Sequence, residues 1–370
     1  MMAHTSLNRR LCAIAAAGFL LLSCANQVVL NPSFLHSPEA ESSKTDLTKE
    51  PHLVWSRNLP AEPSAPTALL GNVLALPLKN RSVWFLDKKT GKKLGVYDLS
   101  GIPAGVVFDG RENLIIAEES GNGELLSYSL VDGGVNWRFA LTEAGEVPIV
   151  KKGVADLTGT VLVANRGGGV YALRADDGKL LWKLPLTPLS CQPVWGDTVF
   201  WLADFEGKLN GCANGKVIQS HKQSSAVLAL EAAGDKLLAG GGDSSVSCFS
   251  VFDGKPLWKV KTDGKVRSLA VGDSLVFFAS TVGTVAACRV AQGGKLWERK
   301  LEALVNSPLL AAGGVVLAGT AEGRFLALSE KDGEILWERR IPGAPVGRPI
   351  FEGNTLFLAT TFKRLLAFQF

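Results

Sequence analysis

Gln192, Arg267 and Arg348 are polar residues that each lie one residue before the centre of a short predicted strand. A guanidinium binds a carboxylate through two parallel hydrogen bonds, and an amide can donate another. The three side chains therefore fit an acidic ligand or a peptide carboxylate, provided that the fold points them into one space. The alternative is that they bind water or neighbouring carbonyl oxygens, and the sequence leaves both open.

Residues arranged for catalysis or metal binding are few. Of the four histidines only His221 lies beyond residue 52. It has no evident serine and aspartate partners for a catalytic triad, so a surface loop is its expected place. The sequence has no Cys-x-x-Cys pair and no Gly-x-x-x-x-Gly-Lys-Ser/Thr phosphate loop. We therefore predict no catalytic, cofactor-binding or metal-binding residues.

The first 23 residues have the composition of a bacterial export signal. Two arginines precede an apolar run over Leu11–Leu22 that is too short to span a bilayer comfortably. The run ends in Leu-Leu-Ser-Cys, which resembles the lipobox of lipoproteins, so Cys24 is the expected acylated first residue of the mature chain. The alternative is a plain secretory leader cleaved elsewhere. Ala25, in place of an aspartate, indicates the outer membrane by the commonest sorting rule for lipoproteins.

Residues 24–50 are predicted to form a lipidated flexible tether. They are rich in Ser, Asn, Glu, Lys and Thr and lack an apolar period. Such a tether packs on nothing, so deletion of residues 25–50 is expected to leave stability nearly unchanged.

From residue 51 onward one phrase recurs, a tight turn followed by an apolar run that ends in tryptophan, as in Asp177–Trp182. The phrase returns every 37 to 45 residues, and two worn copies end in Gly95 and Gln219. A period of about 40 residues made of strands and turns is typical of a β-propeller. The tryptophans at this position are expected to pack between neighbouring blades, whereas Trp195 and Trp201 lie off the repeat and should matter less. The repeat tryptophans are Trp55, Trp137, Trp182, Trp258, Trp297 and Trp337.

The first strands of the repeat units number eight, and six of their centres are prolines. Proline is confined to sheet edges, and the innermost strand of a blade is an edge that faces the central channel. These strands are therefore predicted to line the channel. Their centres are Pro66, Pro103, Pro148, Pro193, Ala226, Ser268, Pro308 and Pro349.

The two ends of the body are predicted to share the last blade. After Trp337 the chain has room for three strands, and His52–Trp55 has the pattern of the missing fourth. No helical period of useful length occurs after residue 24. Residues 51–370 are therefore predicted to be all-β, an eight-bladed propeller of four-stranded antiparallel blades closed by the N-terminal strand.

Four cysteines lie in this body, and their redox state is open. Buried free thiols are one interpretation, and a disulfide is the other, because an exported chain meets an oxidising compartment. They are Cys191, Cys212, Cys248 and Cys288.

The phrase Asp-Gly-Lys-x-Leu-Trp, preceded by a strand such as Tyr171–Leu173, resembles the PQQ-like repeat of quinoprotein dehydrogenases over about residues 51–370. With the lipobox and eight blades in one compact chain, the sequence is similar to the BamB family, lipoproteins of the outer-membrane β-barrel assembly machine. The resemblance implies a non-catalytic scaffold without a cofactor, lipid-anchored to the periplasmic face of the outer membrane. Its partners would be other envelope proteins, including the assembly machine.

Two alternatives come from other functional classes, a small PQQ-binding enzyme and a periplasmic ligand- or polysaccharide-binding sensor. Quinoprotein dehydrogenases need an Asp base and a Glu/Asn/Asp calcium site, and neither can be located here. The net charge of +4 is not clustered on one face, which argues against nucleic acid. BamB proteins dock through a Leu-x-Leu-Arg loop and an Asp-rich loop. The corresponding stretches here, Pro188–Gln192 and Gln223–Ser225, match neither, so no contact residue is carried over.

Overall fold

The computed structural model describes residues 28–35, 45–119, 123–141, 149–151, 159–165, 167–196 and 199–370. Within them the chain forms eight four-stranded antiparallel sheets, the blades of an eight-bladed propeller. The prediction of fold class is confirmed. Cys24 and the other residues of the expected leader lie outside the described residues, as does Pro148. None of the helices in the described part of the chain has the length and apolar character to cross a membrane.

The helix and strand bounds follow the repeat. Helix α1 (Pro32–Leu35) and strand β1 (His52–Asn58) come first. Blade 1 contains β2 (Ala68–Leu70), β3 (Val73–Leu78), β4 (Ser82–Asp87) and β5 (Lys93–Asp98), and blade 2 contains β6 (Ile102–Phe108), β7 (Asn113–Glu119), β8 (Glu124–Ser129) and β9 (Val135–Ala140). Blade 3 contains β10 (Ile149–Lys151), β11 (Thr160–Ala164), β12 (Gly169–Arg174) and β13 (Leu180–Pro185), and blade 4 contains β14 (Val194–Trp195), β15 (Phe200–Ala203), β16 (Lys208–Ala213) and β17 (Lys216–Lys222). Blade 5 contains β18 (Val227–Ala233), β19 (Lys236–Gly241), β20 (Ser245–Ser250) and β21 (Pro256–Lys261), and blade 6 contains β22 (Val266–Val271), β23 (Leu275–Ser280), β24 (Thr284–Arg289) and β25 (Lys295–Lys300). Blade 7 contains β26 (Leu310–Ala312), β27 (Val315–Gly319), β28 (Arg324–Ser329) and β29 (Ile335–Arg340), and blade 8 contains β30 (Ile350–Glu352), β31 (Thr355–Thr360) and β32 (Arg364–Gln369) with β1.

The middle strands of a blade are buried, whereas the outermost strand is partly exposed to solvent. All six residues of β3, a second strand, are buried, because neighbouring blades cover both faces of the sheet. On β13, a fourth strand, exposed residues alternate with half-buried ones. The side-chain period of two therefore leaves one face of each outermost strand in solvent.

The ring is closed by the two ends of the chain. Strand β1 pairs antiparallel with β32 from His52 opposite Gln369 to Asn58 opposite Arg364. The predicted closure by the N-terminal strand is confirmed. Several of the prolines predicted at the centres of first strands come just before those strands instead. Proline has no N–H to donate to the hydrogen-bond ladder between strands. Pro66, Pro193, Pro308 and Pro349 precede their strands in this way, whereas Pro103 lies within β6.

At five of the eight blade boundaries a tryptophan packs on a glycine of the next blade. A Cβ placed on Gly178 would lie 2.5 Å from the ring of Trp137, so only glycine permits this approach. The Trp137 indole Nε1 donates to the carbonyl oxygen of Ala175, 2.8 Å away and three residues before that glycine. The same arrangement joins Trp55 to Gly91 and Lys88 O, Trp258 to Gly293 and Val290 O, and Trp297 to Gly333 and Glu330 O.

The worn copy at Gln219 keeps this contact with two different residues. Gln219 Nε2 donates to the carbonyl oxygens of Val251, at 3.1 Å, and Phe252, at 2.7 Å. The ring of His221 takes the place over Gly254, where a Cβ would lie 1.5 Å from its Nε2. The prediction that His221 occupies a surface loop is therefore wrong, because the missing indole leaves a space between blades 4 and 5 that the imidazole fills.

The worn copy at Gly95 is completed by the segment before the propeller. Val28 packs on Gly95, 2.8 Å from the position of an added Cβ. The backbone N–H of Leu30 donates to the carbonyl oxygen of Leu130 at 2.7 Å. Leu130 lies three residues before Gly133. Its carbonyl oxygen is therefore equivalent to the one that accepts the indole hydrogen bond at the other boundaries.

A second part of the same segment fills the gap that ring closure leaves in blade 8. The chain is interrupted between β32 and β1, so that blade has no turn there for Trp337 to pack on. Leu47 occupies the gap, and its carbonyl oxygen accepts a 2.9 Å hydrogen bond from Trp337 Nε1. Phe370 completes the contact, with its ring centroid 5.9 Å from that of Trp337.

The prediction that residues 24–50 form a tether that packs on nothing is wrong for residues 28–35 and 45–50. Val28, Leu35 and Leu47 are 3%, 2% and 1% exposed. The polar composition concealed a few apolar side chains that fill gaps in the repeat. Trp201 also departs from expectation, since it is fully buried between blades 4 and 5 although it lies off the repeat. Cys191, Cys212, Cys248 and Cys288 are free thiols, which decides between the two interpretations of the cysteines.

Removal of residues 25–50 is now expected to destabilise the propeller by several kcal/mol, since each buried aliphatic side chain contributes about 1.5–3 kcal/mol. Thermal unfolding of soluble forms that begin at residues 25, 51 and 57 measures this. The form that begins at 57 should melt lowest, because β32 becomes an open edge. Val28→Asp should lower the melting temperature and Val29→Asp, at an exposed position, should not. Equal melting of the forms that begin at 25 and 51 would contradict the packing.

Gly178→Ala should destabilise the boundary between blades 2 and 3 by about 2 kcal/mol or more, because the new Cβ displaces the Trp137 ring and the position has a φ of +67°. Gly134→Ala is the matched control, since a Cβ there meets nothing within 4 Å. Chemical denaturation of both variants provides the comparison. Similar stabilities of the two variants would show that close approach to glycine does not hold the blades together.

Candidate functional site

The antiparallel blades divide their connections between two faces of the ring. One face, here called the loop face, carries the connections between blades and the hairpins between second and third strands. The other face, here called the turn face, carries the turns between first and second strands and between third and fourth strands. The first strands line the channel between the two faces.

Arg348 reaches across the channel. It lies just before β30 in blade 8, and its guanidinium donates to the Glu231 carboxylate on β18 in blade 5. A second hydrogen bond, of 3.3 Å, reaches the carbonyl oxygen of Leu269 on β22 in blade 6. The Arg348 charge is therefore compensated inside the protein, which leaves it less suited to an added anion than the sequence predicted.

Gln192 and Arg267 are exposed. Arg267 lines a cavity of about 240 Å³ between blades 6 and 7, together with Thr281 and Asn306. No hydrogen bond joins any two of Gln192, Arg267 and Arg348 within the described part of the chain. A ligand-binding role for these three residues therefore stays a prediction.

A rigid hairpin on blade 4 presents an exposed aromatic ring on the loop face. The carboxylate of Asp204 is buried and accepts backbone N–H groups of Glu206, at 2.9 Å, and Lys208, at 2.8 Å. Thr187, in the connection from blade 3, donates its hydroxyl to the same carboxylate at 2.5 Å. Phe205 at the tip is 63% exposed. The hydrogen bonds hold the hairpin, so the ring is displayed in a fixed position.

A second polar cluster holds the connection between blades 4 and 5 against blade 5. Asp243 Oδ2 accepts hydrogen bonds from the Ser224 hydroxyl, at 2.8 Å, and from Lys259 Nζ, at 2.7 Å. Ser245 donates to the other carboxylate oxygen at 2.6 Å. Burial raises the pKa of Asp243, but these hydrogen bonds from Lys259, Ser245 and Ser224 outweigh it and lower the pKa to about 2. The carboxylate is therefore charged at neutral pH and fixes the loop that holds Ser224.

These two clusters adjoin the two stretches that the sequence analysis compared with the docking loops of the BamB family. Pro188–Gln192 and Gln223–Ser225 lie on the same face, at the entrances of neighbouring blades 4 and 5. The sequence analysis missed Phe205 and Asp243. Phe205 could have been predicted from the sequence, because hairpin tips are usually polar and an aromatic residue there is unusual.

Apolar tips recur on the loop face of other blades. Val282 on blade 6 and Phe362 on blade 8 stand at hairpins equivalent to that of Phe205, and both are exposed. Among the described residues, no cluster of three or more His, Cys, Asp or Glu side chains is placed to hold a metal ion. The loop face thus offers apolar contact points on a stiff frame, which suits protein contacts.

The family model described as "Outer membrane protein assembly factor BamB" matches residues 48–236 and 242–370. Curated proteins of that name are similar to this chain. The one from Burkholderia pseudomallei is 26% identical over 314 residues, which are 83% of this chain and 74% of the relative. The one from Moranella endobia is 21% identical over 313 residues, 83% of this chain and 72% of the relative. The match to the Shewanella oneidensis protein, at 28% identity, spans only 36% of that relative.

Solved structures show the same fold. The crystal structure of BamB from Moraxella catarrhalis superposes with a TM-score of 0.73 at 17% identity, covering 87% of this chain and all of that one. The computationally designed Ika8 protein has a TM-score of 0.73 at 16% identity and covers 85% of this chain. At these identities the likeness concerns the fold alone.

Asp243→Asn should lower stability by about 1–3 kcal/mol at neutral pH, since the amide loses charge-assisted hydrogen bonds. The folded pKa of about 2 lies below the ordinary value of 3.8, so the carboxylate stabilises the fold above about pH 4 and loses this effect as the pH falls towards 2. The difference in melting temperature between parent and variant should therefore shrink over that range. Glu206→Gln, which changes an exposed 3.4 Å pair, is the control expected to do nothing. A difference independent of pH would exclude the charge as its cause.

Proposed function

This chain belongs to the family of outer membrane protein assembly factor BamB, and on that premise we propose that it is a non-catalytic scaffold in the assembly of outer-membrane β-barrel proteins. The observation that carries the proposal is the extent of the family match, which includes strands of all eight blades. The relatives of this family are named as assembly factors, which supports a role without catalysis. A propeller by itself would not, because many unrelated functions share such folds.

The proposed location is the periplasmic face of the outer membrane, with a lipid anchor on Cys24. The supporting features are those of the sequence, a short apolar leader that ends in Leu-Leu-Ser-Cys. Acyl chains on one cysteine hold a protein at a bilayer by about 0.8 kcal/mol per buried CH₂. Residues 1–23 would then be removed, and residue 24 would begin the mature chain.

The mechanism we propose is presentation of contact points by a stiff ring. The tryptophan contacts and the closing strand hold the eight blades in register, so the loop face keeps its shape when a partner binds. Phe205 stands beside the connection Pro188–Gln192 and offers the kind of aromatic anchor around which interfaces concentrate their binding energy. The partners would be envelope proteins, among them components of the β-barrel assembly machine.

A pulldown from solubilised envelopes tests the scaffold role. The lipidated protein should recover assembly-barrel components. Phe205→Glu should reduce the recovery at least about tenfold, as expected for loss of an aromatic anchor. Phe252→Glu is the matched control, because Phe252 is 78% exposed but lies on the turn face, and it should recover as much as the parent. Failure of the parent protein to recover any of these components, or co-purification of a redox chromophore, would refute the scaffold proposal.

Metabolic labelling with a palmitate analogue tests the anchor. The parent protein should take up the label, and Cys24→Ser should not, because the acylated thiol is gone. Cys191→Ser serves as the control that keeps the label, since burial raises the pKa of that thiol to about 12 and makes it unreactive. Label that persists on Cys24→Ser would refute acylation at this position.

A further inference from the structure

The N-terminal segment lies on the turn face, at blades 1 and 2. The backbone N–H of Asn72, in the turn between β2 and β3, donates to the carbonyl oxygen of Phe34 at 2.9 Å. A Cβ on Gly71 in that turn would lie 2.3 Å from the carbonyl oxygen of Leu35. The contact of Leu30 with Leu130 involves the turn between β8 and β9 of blade 2. Residues 28–35 therefore touch two turns, and both are on the face opposite the exposed hairpin tips.

The position of Val28 restricts where an anchor at Cys24 can be. Val28 is buried, and its backbone N–H donates to the Tyr128 hydroxyl at 2.6 Å. Four residues of extended chain reach at most about 14 Å, so the acylated cysteine stays within that distance of Val28. A free tether up to residue 50 would have allowed about 90 Å. Because Val28 is packed, the chain that links the anchor to the folded body is short, and it starts at the turn face.

The same corner of the turn face is basic. The turn after β4 and the start of β5 carry Lys88, Lys89, Lys92 and Lys93. This turn adjoins the N-terminal segment, because the Lys88 N–H donates to the carbonyl oxygen of Asn72 at 2.9 Å. The equivalent turns of blades 3 to 7 carry one lysine each, and that of blade 2 carries none.

Most of this positive charge faces solvent. Lys88 pairs with Glu352, and Asp87 is engaged by Thr90 within the turn. Lys89 and Lys92 are exposed and have no ion-pair partner among the described residues. Lys93 lies over the Trp84 ring, with its Nζ 5.0 Å from the centroid. Around the turn of blade 1, four lysines against the carboxylates of Asp87 and Glu352 leave a net positive charge. The turns of blade 2 carry Asp109, Glu112 and Asp132 against Arg111, so the basic surface is confined to blade 1.

We propose that the turn face at blade 1 docks on the anionic phospholipid surface of the membrane, so that the loop face points away into the periplasm. The inference rests on the proposed acylation of Cys24. The acyl chains on Cys24 would hold the protein at the bilayer, and the basic turn beside their attachment point would select the face that meets the lipid. The loop-face tips, including Phe205, then remain open to protein partners.

Fluorescence quenching by a headgroup-attached quencher tests the orientation on lipidated protein in vesicles of phosphatidylethanolamine and phosphatidylglycerol. Single reporters are attached at Lys92→Cys, on the basic turn, and at Phe362→Cys, on the loop face. Burial raises the pKa of Cys212 and Cys248 to about 12 and of Cys288 to about 11, so the new exposed thiol is labelled selectively. The reporter at 92 should be quenched several-fold more than that at 362. A third reporter at Lys255→Cys, on the equivalent turn of blade 5, should be quenched less than that at 92. Equal quenching at 92 and 362, or stronger quenching at 362, would overturn the proposal.

Co-sedimentation of the unlipidated Cys24→Ser protein with phosphatidylglycerol vesicles tests the basic corner. Lys89→Glu with Lys92→Glu should weaken binding at least about tenfold, because each lysine near an anionic surface contributes roughly 1 kcal/mol. Lys216→Glu with Lys331→Glu is the matched control, the same change of charge at the equivalent turns of blades 4 and 7 on the same face. It should leave binding nearly unchanged. The specific basic docking corner would be contradicted if both double variants weakened vesicle binding equally, or if neither weakened it.

The outcomes separate this inference from the proposed function. Recovery of assembly-barrel components by a protein whose reporter at 92 is not quenched would refute the orientation and keep the scaffold. Quenching at 92 without any recovered partner would refute the scaffold and keep the orientation. Absence of acyl label on the parent protein would refute the orientation directly, because the anchor would then be missing.

Discussion

The contact between a tryptophan of one blade and a turn glycine of the next is the interaction on which the ring depends. It combines apolar burial with a hydrogen bond to the carbonyl oxygen three residues before the glycine, as Trp137 does with Gly178 and Ala175. Where the indole is absent, other groups supply both parts. His221 and Gln219 do so for blade 5. What the fold requires at each boundary is thus this pair of contacts rather than a particular residue type.

Closure of the ring and the missing tryptophan at Gly95 explain why residues 28–35 and 45–50 pack against the blades. A propeller closed by its N-terminal strand loses one turn where its two ends meet, and this chain also lacks the tryptophan at Gly95. Leu47 and Val28 fill these two gaps, one at blade 8 and one at blade 1. A stretch with the composition of a linker is therefore part of the folded body. Its exit point from the body then sets where a lipid anchor can hold the protein.

The two faces of the ring divide the proposed work between them. The loop face carries apolar tips such as Phe205, whose hairpin is held by the buried Asp204 carboxylate, and such tips suit protein contacts. The turn face carries the N-terminal segment and the basic turn of blade 1, which suits a membrane surface. The channel between them is crossed by the Arg348–Glu231 pair, which joins blades that are not neighbours.

The blade number, the repeat tryptophans and the closure by the strand at His52–Trp55 could be predicted from the sequence, because turn residues and strand patterns are local and recur at one period. Only the tertiary structure decided which groups fill the gaps in that period. The contacts of Val28 with Tyr128 and of Arg348 with Glu231 join residues 100 and 117 positions apart, and no local pattern marks such pairs. His221 likewise has its place because a space between two blades needs filling. The physical reason is that strand and turn preferences act over a few residues, whereas packing depends on what the closed ring brings together.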